Sequence, residues 1–415
     1  MAIVRILIIS DLHIGTKVRC LSLVPEEQRE TVKVFNDEYL SKFENFLRKY
    51  EKRIDCLIIS GDISNTAAAE EFRHFDSIVK HIIKLLDIEL ENVFFTAGNH
   101  DSNWAALVDA DGEKLEPLNC RERYTPLETS NVLKCRIEAA DGHLLEAPYY
   151  CAWENDQIIV VSINTSSTDG PDRKPHCGEI TRDTIDALVN AFDNMKVKTK
   201  QKVKILLIHH HPINYENISP EWKDFSILQC YKDLVELSHQ YRFDFIVHGH
   251  RHQPKFKSEL NERGEQLSIV CSGSFCQIFP SHVYENLSNQ LHVLEIDSRD
   301  EGTGVLRGAI LNFAYSHRDG WQPSIKTSCG IEPKLSFGPN EHKGDLIRLA
   351  DEFIVKRIAS DGSCVISEMT KELDSFKYKN DDLVMGIVRE VCERHDFELF
   401  GEHLEQCVVL NRRPL

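Results

Sequence analysis

The sequence predicts an α/β protein, with one large layered domain followed by a small C-terminal α+β domain. Three observations carry this expectation. Short Ile/Val/Leu-rich runs alternate with amphipathic helical stretches over most of the chain. The pattern becomes strand-rich between about 265 and 315. Turn formers then crowd into 319–340 (Gly320, Pro323, Gly330, Pro333, Gly338, Pro339), and the chain resumes with a separate helix–strand pattern. At 415 residues, 41% apolar and 28% charged, the chain can bury a sizeable core and carry a second domain. The resulting boundaries are 1–318, a linker at 319–340, and 341–415.

In chain order, residues 3–10, 56–60, 92–97, 158–164, 204–208 and 244–247 read as buried strands, each apolar and flanked by polar or turn residues. The first is too short for a secretory h-region and runs into a charged residue, which favours a buried strand. Residues 30–50 place Phe35, Tyr39, Phe43 and Leu47 on one helical face, and 68–86 and 181–192 are patterned alike. Residues 266–271, 292–297 and 309–314 predict further strands. Beyond the turn-rich stretch come a helix at 343–359, a short strand at 362–367, helices at 368–376 and 381–395, and a hairpin over 397–410. That is the order of a winged helix. This last segment holds 11 Lys/Arg against 16 Asp/Glu, and its third helix opens on Asp381-Asp382, so a protein contact is expected of it rather than duplex binding.

The net charge of −17 excludes a broad basic surface, while two divalent cations would locally add about four positive charges. No run approaches the roughly 20 apolar residues of a membrane span. The 13 cysteines form no CxxC pairs and are expected to be reduced thiols of a cytoplasmic protein.

Residues able to bind metals follow five of the predicted strands directly, where an α/β sheet presents its crevice. They are Asp11-Leu12-His13, Gly61-Asp62, Gly98-Asn99-His100-Asp101, His209-His210-His211-Pro212 and Gly249-His250-Arg251-His252. Taken singly, Asp-x-His reads equally as a strand-end Asp closing a turn, and Gly-Asp as a turn alone. Gly-Asn-His-Asp on an apolar strand has no packing reason to exist. Arg251 reads as a phosphate contact or a surface ion pair, and His248 as a core histidine. The conjunction points to a metal centre. Two cations about 3.5–4 Å apart neutralise an anionic phosphate ester and acidify a bridging water. Mixed imidazole and oxygen donors suit Mn, with Fe, Zn, Co or Ni as alternatives, and disfavour Ca.

The ordered set Asp11-x-His13, Gly61-Asp62, Gly98-Asn99-His100-Asp101, His210-x-Pro212 and Gly249-His250-x-His252 resembles the calcineurin-like metallophosphoesterase superfamily over roughly residues 1–315. The resemblance implies a four-layer αββα sandwich with two mixed sheets between helices. It implies two divalent metal ions: Asp11, His13 and His252 on the first, Asn99, His210 and His250 on the second, and Asp62 bridging both. It further implies His100 as general acid for the leaving alkoxide, oriented by Asp101; the alternative for His100 is a structural role that supports the metal ligands without touching substrate. His209 stays open as the ligand beside His210.

Gly61-Asp62-Ile63-Ser64-Asn65-Thr66 lacks the Gly-Asp-x-x-Asp-Arg-Gly run of the Ser/Thr protein phosphatases, which sets that branch aside. The His-x-Pro motif is similar to the cyclic-nucleotide and small-diester phosphodiesterases. Ser10–Gly15 and the run from Gly249 to Pro254 are similar to the double-strand-break repair nucleases. The expected substrate is therefore a small phosphodiester or nucleotide, with nucleic acid as the alternative substrate and an inactive scaffold as a third reading. Residues 103–148 and 212–224 are expected to shape substrate access.

Overall fold

The computed structural model describes residues 3–15, 38–172, 174–195, 202–215, 226–261, 266–277, 287–325, 330–401 and 404–412. The chain forms two compact units, Met1–Glu295 with Leu311–Pro333, and Ile296–Ile310 with Lys334–Leu415.

The elements up to the turn-rich stretch are β1 (Val4–Ile9), α1 (Tyr39–Lys49), β2 (Cys56–Ile59), α2 (Ala69–Leu86), β3 (Val93–Phe95), α3 (Asn131–Glu138), β4 (Asp141–His143), β5 (Tyr150–Glu154), β6 (Ile158–Ile163), α4 (Arg182–Met195), β7 (Val203–Leu207), α5 (Tyr231–Gln240), β8 (Phe245–His248), β9 (Lys255–Leu260), β10 (Gln266–Cys271), β11 (Gln290–Arg299) and β12 (Leu306–Ser316). Then come β13 (Gly320–Pro323), β14 (Lys334–Phe337), α6 (Lys343–Asp361), β15 (Ser363–Val365), α7 (Ile366–Glu372), α8 (Asp374–Lys377), α9 (Asp381–His395), β16 (Phe397–Phe400) and β17 (Val408–Asn411).

Strand–helix alternation produces two large mixed sheets with helices, the expected α/β architecture. One sheet carries the order β13-β12-β11-β1-β2-β3, the other β4-β5-β6-β7-β8-β10-β9. In the first, β1, β2 and β3 are parallel, with Ile8 beside Ile58 and Ile58 beside Phe94. In the second, β6, β7, β8 and β10 are parallel, while β5 and β9 pair antiparallel at either side of that block. The central strands are buried along their whole length, which is why they read as unbroken apolar runs rather than alternating ones. Ile159, Val161, Leu206, Ile208, Ile246 and Ile269 form a core with Leu188 and Phe192 of α4 and Leu234 of α5.

Residues 319–340 contain β13, where Trp321 lies opposite Tyr315 and stacks on Phe275 at 5.3 Å between ring centres. Burial of that indole ties the turn-rich segment to the sheet. The helical start expected over 30–37 lies outside the described residues.

In the second unit, β15, β17 and β16 form an antiparallel sheet. It packs with α6, α7 and α9 around Ala350, Ile354, Ile366, Met369, Ile387, Val388 and Val409. Helix, strand, helices and hairpin follow one another in this unit. Asn380 caps α9 by accepting from the Leu383 N–H at 2.8 Å. Among the described residues no helix is long and apolar enough to cross a membrane, and every described cysteine is a free thiol.

Candidate metal centre

Each parallel strand that ends at the crevice hands its polar side chain to the site through a tight turn. Asp11, His13, Asp62, His250 and His252 all have positive φ, from 46° to 70°. That backbone region costs a residue with a Cβ about 1–2 kcal/mol. Five such residues in one place mark a site where geometry has been kept at the expense of local stability. The turns interlock: the Asp11 N–H donates to the Gly61 carbonyl at 3.1 Å and the His13 N–H to the Asp62 carbonyl at 3.0 Å. Two glycines permit the close approach. A Cβ on Gly98 would collide with the backbone N and Oδ1 of Asp62, and one on Gly249 with Ser10 Oγ and Asp11 Oδ2.

The side chains converge into two groups whose donor atoms lie within 4.8 Å of one another: Asp11, His13, Asp62 and His252, and Asp62, His209 and His250. Asp62 belongs to both. His13 Nε2 is 3.8 Å from Asp62 Oδ2, and His209 Nε2 is 3.3 Å from the same oxygen. His252 Nε2 is 3.4 Å from Asp11 Oδ1 and 3.4 Å from His13 Nε2. Asp11 Oδ2, Asn99 Oδ1 and His210 Nε2 are buried without a hydrogen bond. Buried polar atoms are ordinarily paired. Carboxylate, amide and imidazole atoms left buried and unpaired are of the types that fit divalent cations.

Further contacts fix the imidazoles. His209 Nδ1 donates to the Ser60 carbonyl at 2.9 Å, and His210 Nδ1 lies 2.8 Å from Thr165 Oγ1. Such bonds on the second ring nitrogen leave Nε2 to serve as ligand. The Asp62 carboxylate accepts the His100 N–H at 2.9 Å through Oδ1.

Electrostatics separate the groups. Burial, with the Asp62 charge adding, pushes Asp11 up to about 7 against the pull of His209. Burial acts upward on Asp62 too, but His209, His100 and His13 outweigh it and hold its carboxyl well below the usual range. Burial lowers His209, yet Asp62 and Asp11 carry it up to about 9. His210 is held well below the ordinary imidazole range by burial and then by His209, His211 and His176. His250 is held there by burial, His210 and His209. His210 and His250 are thus neutral imidazoles beside the ionised Asp62, the states a metal site requires, whereas His209 gives up its proton when a cation takes its place beside Asp62.

His100 stands edge-on to His13, with ring centres 4.9 Å apart, and its Nδ1 lies 2.8 Å from the Asn65 carbonyl oxygen. The Asp101 carboxylate accepts from the Gly98 and Ser64 N–H groups, both at 2.8 Å, and so organises the turn that carries Asn99 and His100. Arg251 is almost wholly buried, its guanidinium 5.2 Å from the Tyr215 ring centre. His248 is a core histidine, its Nε2 2.8 Å from Tyr215 Oη.

Sequence reading missed Ser60, Asn65, Thr165 and Gly178. Ser60 and Asn65 act through main-chain carbonyls, which leave no residue-type signal. Gly178 packs so close to the His210 ring that any Cβ would overlap Nδ1. Of the segments expected to govern access, 216–224 lies outside the described residues.

Strands of two sheets ending in one buried imidazole–carboxylate cluster define a metallohydrolase-type centre. A sequence model described as calcineurin-like phosphoesterase matches residues 4–254, and the chain belongs to that family. A search among curated proteins found no match. Among solved structures, the chain is similar to Vacuolar Protein Sorting 29 from Cryptosporidium parvum at 12% identity, over 78% of this chain and 96% of that one, with a TM-score of 0.32. It is similar to the NAD nucleotidase of Haemophilus influenzae at 11% identity, over 95% and 60%, with a TM-score of 0.40. It is also similar to the phosphopantetheinyl hydrolase of Mycobacterium tuberculosis at 14% identity, over 66% and 90%, with a TM-score of 0.34. At TM-scores this low the likenesses add nothing to the assignment, which rests on the sequence match.

Proposed function

We propose that this chain is a dinuclear metal-dependent phosphoesterase acting on a phosphodiester, a cyclic nucleotide or another small diester. The observation that carries the reading is the membership of Asp62 in both ligand groups. A carboxylate offers one oxygen to each of two cations, and two cations are what an anionic ester needs to accept a nucleophile. In this reading Asp11, His13 and His252 hold one ion, and Asn99, His209 and His250 the other. His209 is preferred because its Nε2 faces Asp62, whereas His210 follows from its place two residues before Pro212. Manganese is the leading metal, with Fe, Zn, Co or Ni compatible with the same donors. When bound, the ions supply charge neutralisation and Lewis acidity.

The chain's own residues do the rest. His100, with Nδ1 held by the Asn65 carbonyl, presents Nε2 to the leaving oxygen and gives it a proton. Asp101 keeps the turn beneath it in place. Residues 341–415, acidic overall, serve a protein contact. The free thiols support a cytoplasmic setting.

The test is a manganese-supplemented screen of bis-p-nitrophenyl phosphate, cyclic nucleotides, nucleotides, head-group diesters and single- and double-stranded DNA. Hydrolysis of small diesters with DNA left intact supports the reading. DNA cleavage supports a repair-type nuclease, and no hydrolysis together with no bound metal supports an interaction scaffold.

A further inference from the structure

Beside the metal ligands lies a group the mechanism above does not use. His176 Nδ1 is 3.0 Å from Oδ1 of Asp169, a carboxylate with no exposed surface. The indole of Trp104, four residues past His100, stacks on the imidazole at 5.1 Å and 28°. The ring is thus fixed in both direction and plane, yet 26% of the side chain stays exposed.

Its platform is anchored from three sides. The Asp169 carboxylate also accepts the Gly170 N–H at 2.8 Å. The wholly buried Arg123 donates to the Asp169 carbonyl at 2.8 Å, to the Ser166 carbonyl at 3.2 Å and to Ser102 Oγ at 2.5 Å. Two residues after His176, Gly178 packs on the ring of His210. Trp104 thus joins His176 to the segment that follows His100, and Gly178 joins it to the ring of His210. Two further buried atoms beside it, Trp104 Nε1 and Asp169 Oδ2, make no hydrogen bond. A packing histidine would not need a buried carboxylate, an aromatic plate and a partly open edge together.

We propose that His176 is a substrate-contacting residue whose Nε2 hydrogen-bonds a phosphoryl oxygen. The proposal rests on the phosphoesterase reading. With Nδ1 on Asp169, Nε2 is the atom left to the substrate. The carboxylate compensates the ring's charge when Nε2 carries a proton, so the pair can present an N–H to an anionic oxygen.

The experiment compares His176→Gln and His176→Asn in the manganese-loaded full chain. The amide nitrogen of Gln reaches the position of Nε2, and that of Asn only the position of Nδ1. Inorganic phosphate is the probe, by calorimetry and by competition with bis-p-nitrophenyl phosphate, with metal content and melting temperature measured alongside. H176N is expected to weaken phosphate binding about tenfold, the value of one hydrogen bond to a charged group. H176Q should stay within about threefold of the parent, and both should keep their metal and melting temperature. Equal binding in all three proteins overturns the proposal. So does tight binding in H176N with loss in H176Q, or loss of metal or fold in both, since each makes the residue a structural partner of Asp169. If the loaded parent chain itself binds no phosphate, the phosphoesterase reading fails and this inference with it.

Discussion

His209 Nε2 lies 3.3 Å from Asp62 Oδ2, with both side chains shut off from solvent. Neither His210 nor His211, its neighbours in the triplet, joins a ligand group with Asp62 among the described residues. His209→Ala should therefore lower bound manganese from about two ions per chain to about one, and reduce diester hydrolysis at least 100-fold, the scale of losing a catalytic group. His210→Ala should keep more of its metal. Metal analysis of the two variants side by side decides between the imidazoles; the reverse order would return the ligand to the His-x-Pro position.

Gly249→Ala tests how tightly the turns interlock. Its Cβ would press on Ser10 Oγ and Asp11 Oδ2, both buried. Overpacking of this kind costs about 1–3 kcal/mol, and here the strain falls on a ligand. The expected result is a weaker first metal with a melting temperature lowered by a few degrees, read by manganese titration and thermal denaturation. Unchanged metal affinity would mean the turn can yield.

Arg123 has no exposed surface, and its guanidinium fans out to Ser102 Oγ and to the carbonyls of Ser166, Ser167 and Asp169. A Lys ammonium cannot reproduce that planar fan. Arg123→Lys should cost about 2 kcal/mol and Arg123→Met about 3 kcal/mol or more, because acceptors are left buried and unpaired. Urea denaturation measures both.

The strand ends were legible because chemistry-bearing residues follow unbroken apolar runs: Asp11 after β1, Asp62 after β2, Asn99 after β3, His250 after β8. Gly-Asp alone reads as a turn, but Gly-Asn-His-Asp on a buried strand has no packing reason to exist, and the endings taken together outweigh the turn reading of each. Ligand identity within His209-His210-His211 was less legible, since three equal imidazoles differ only in register, and the backbone turn decides which faces Asp62. The Asn65 and Ser60 carbonyls carry no side-chain signature at all. Arg123 and Asp169 lie 46 residues apart, and their meeting depends on how the connection after β3 folds back. Trp321 sits among turn formers whose density hides its strand.

His292 supplies a pH dependence outside the metal ligands. Burial holds its imidazole down to about 4, only partly opposed by the 2.6 Å bond between Nδ1 and Asn312 Oδ1. Unfolded, the ring takes its proton near 6.5, so between the two values the unfolded chain holds more protons and acid favours unfolding. This contribution is complete above about pH 6.5 and is lost as pH falls toward 4. Between pH 7 and pH 5 the parent should lose about 2 kcal/mol more stability than His292→Gln. Denaturation curves at the two pH values measure the difference, and parallel losses would remove His292 as the cause.

Metal stoichiometry tests the shared carboxylate most directly. Elemental analysis of the full chain, loaded with manganese and freed of excess, should find about two ions per chain. Asp62→Asn should bind fewer than one and hydrolyse no bis-p-nitrophenyl phosphate. A parent chain that holds no metal, or an Asp62→Asn variant that keeps both ions and its hydrolytic rate, would contradict the dinuclear centre.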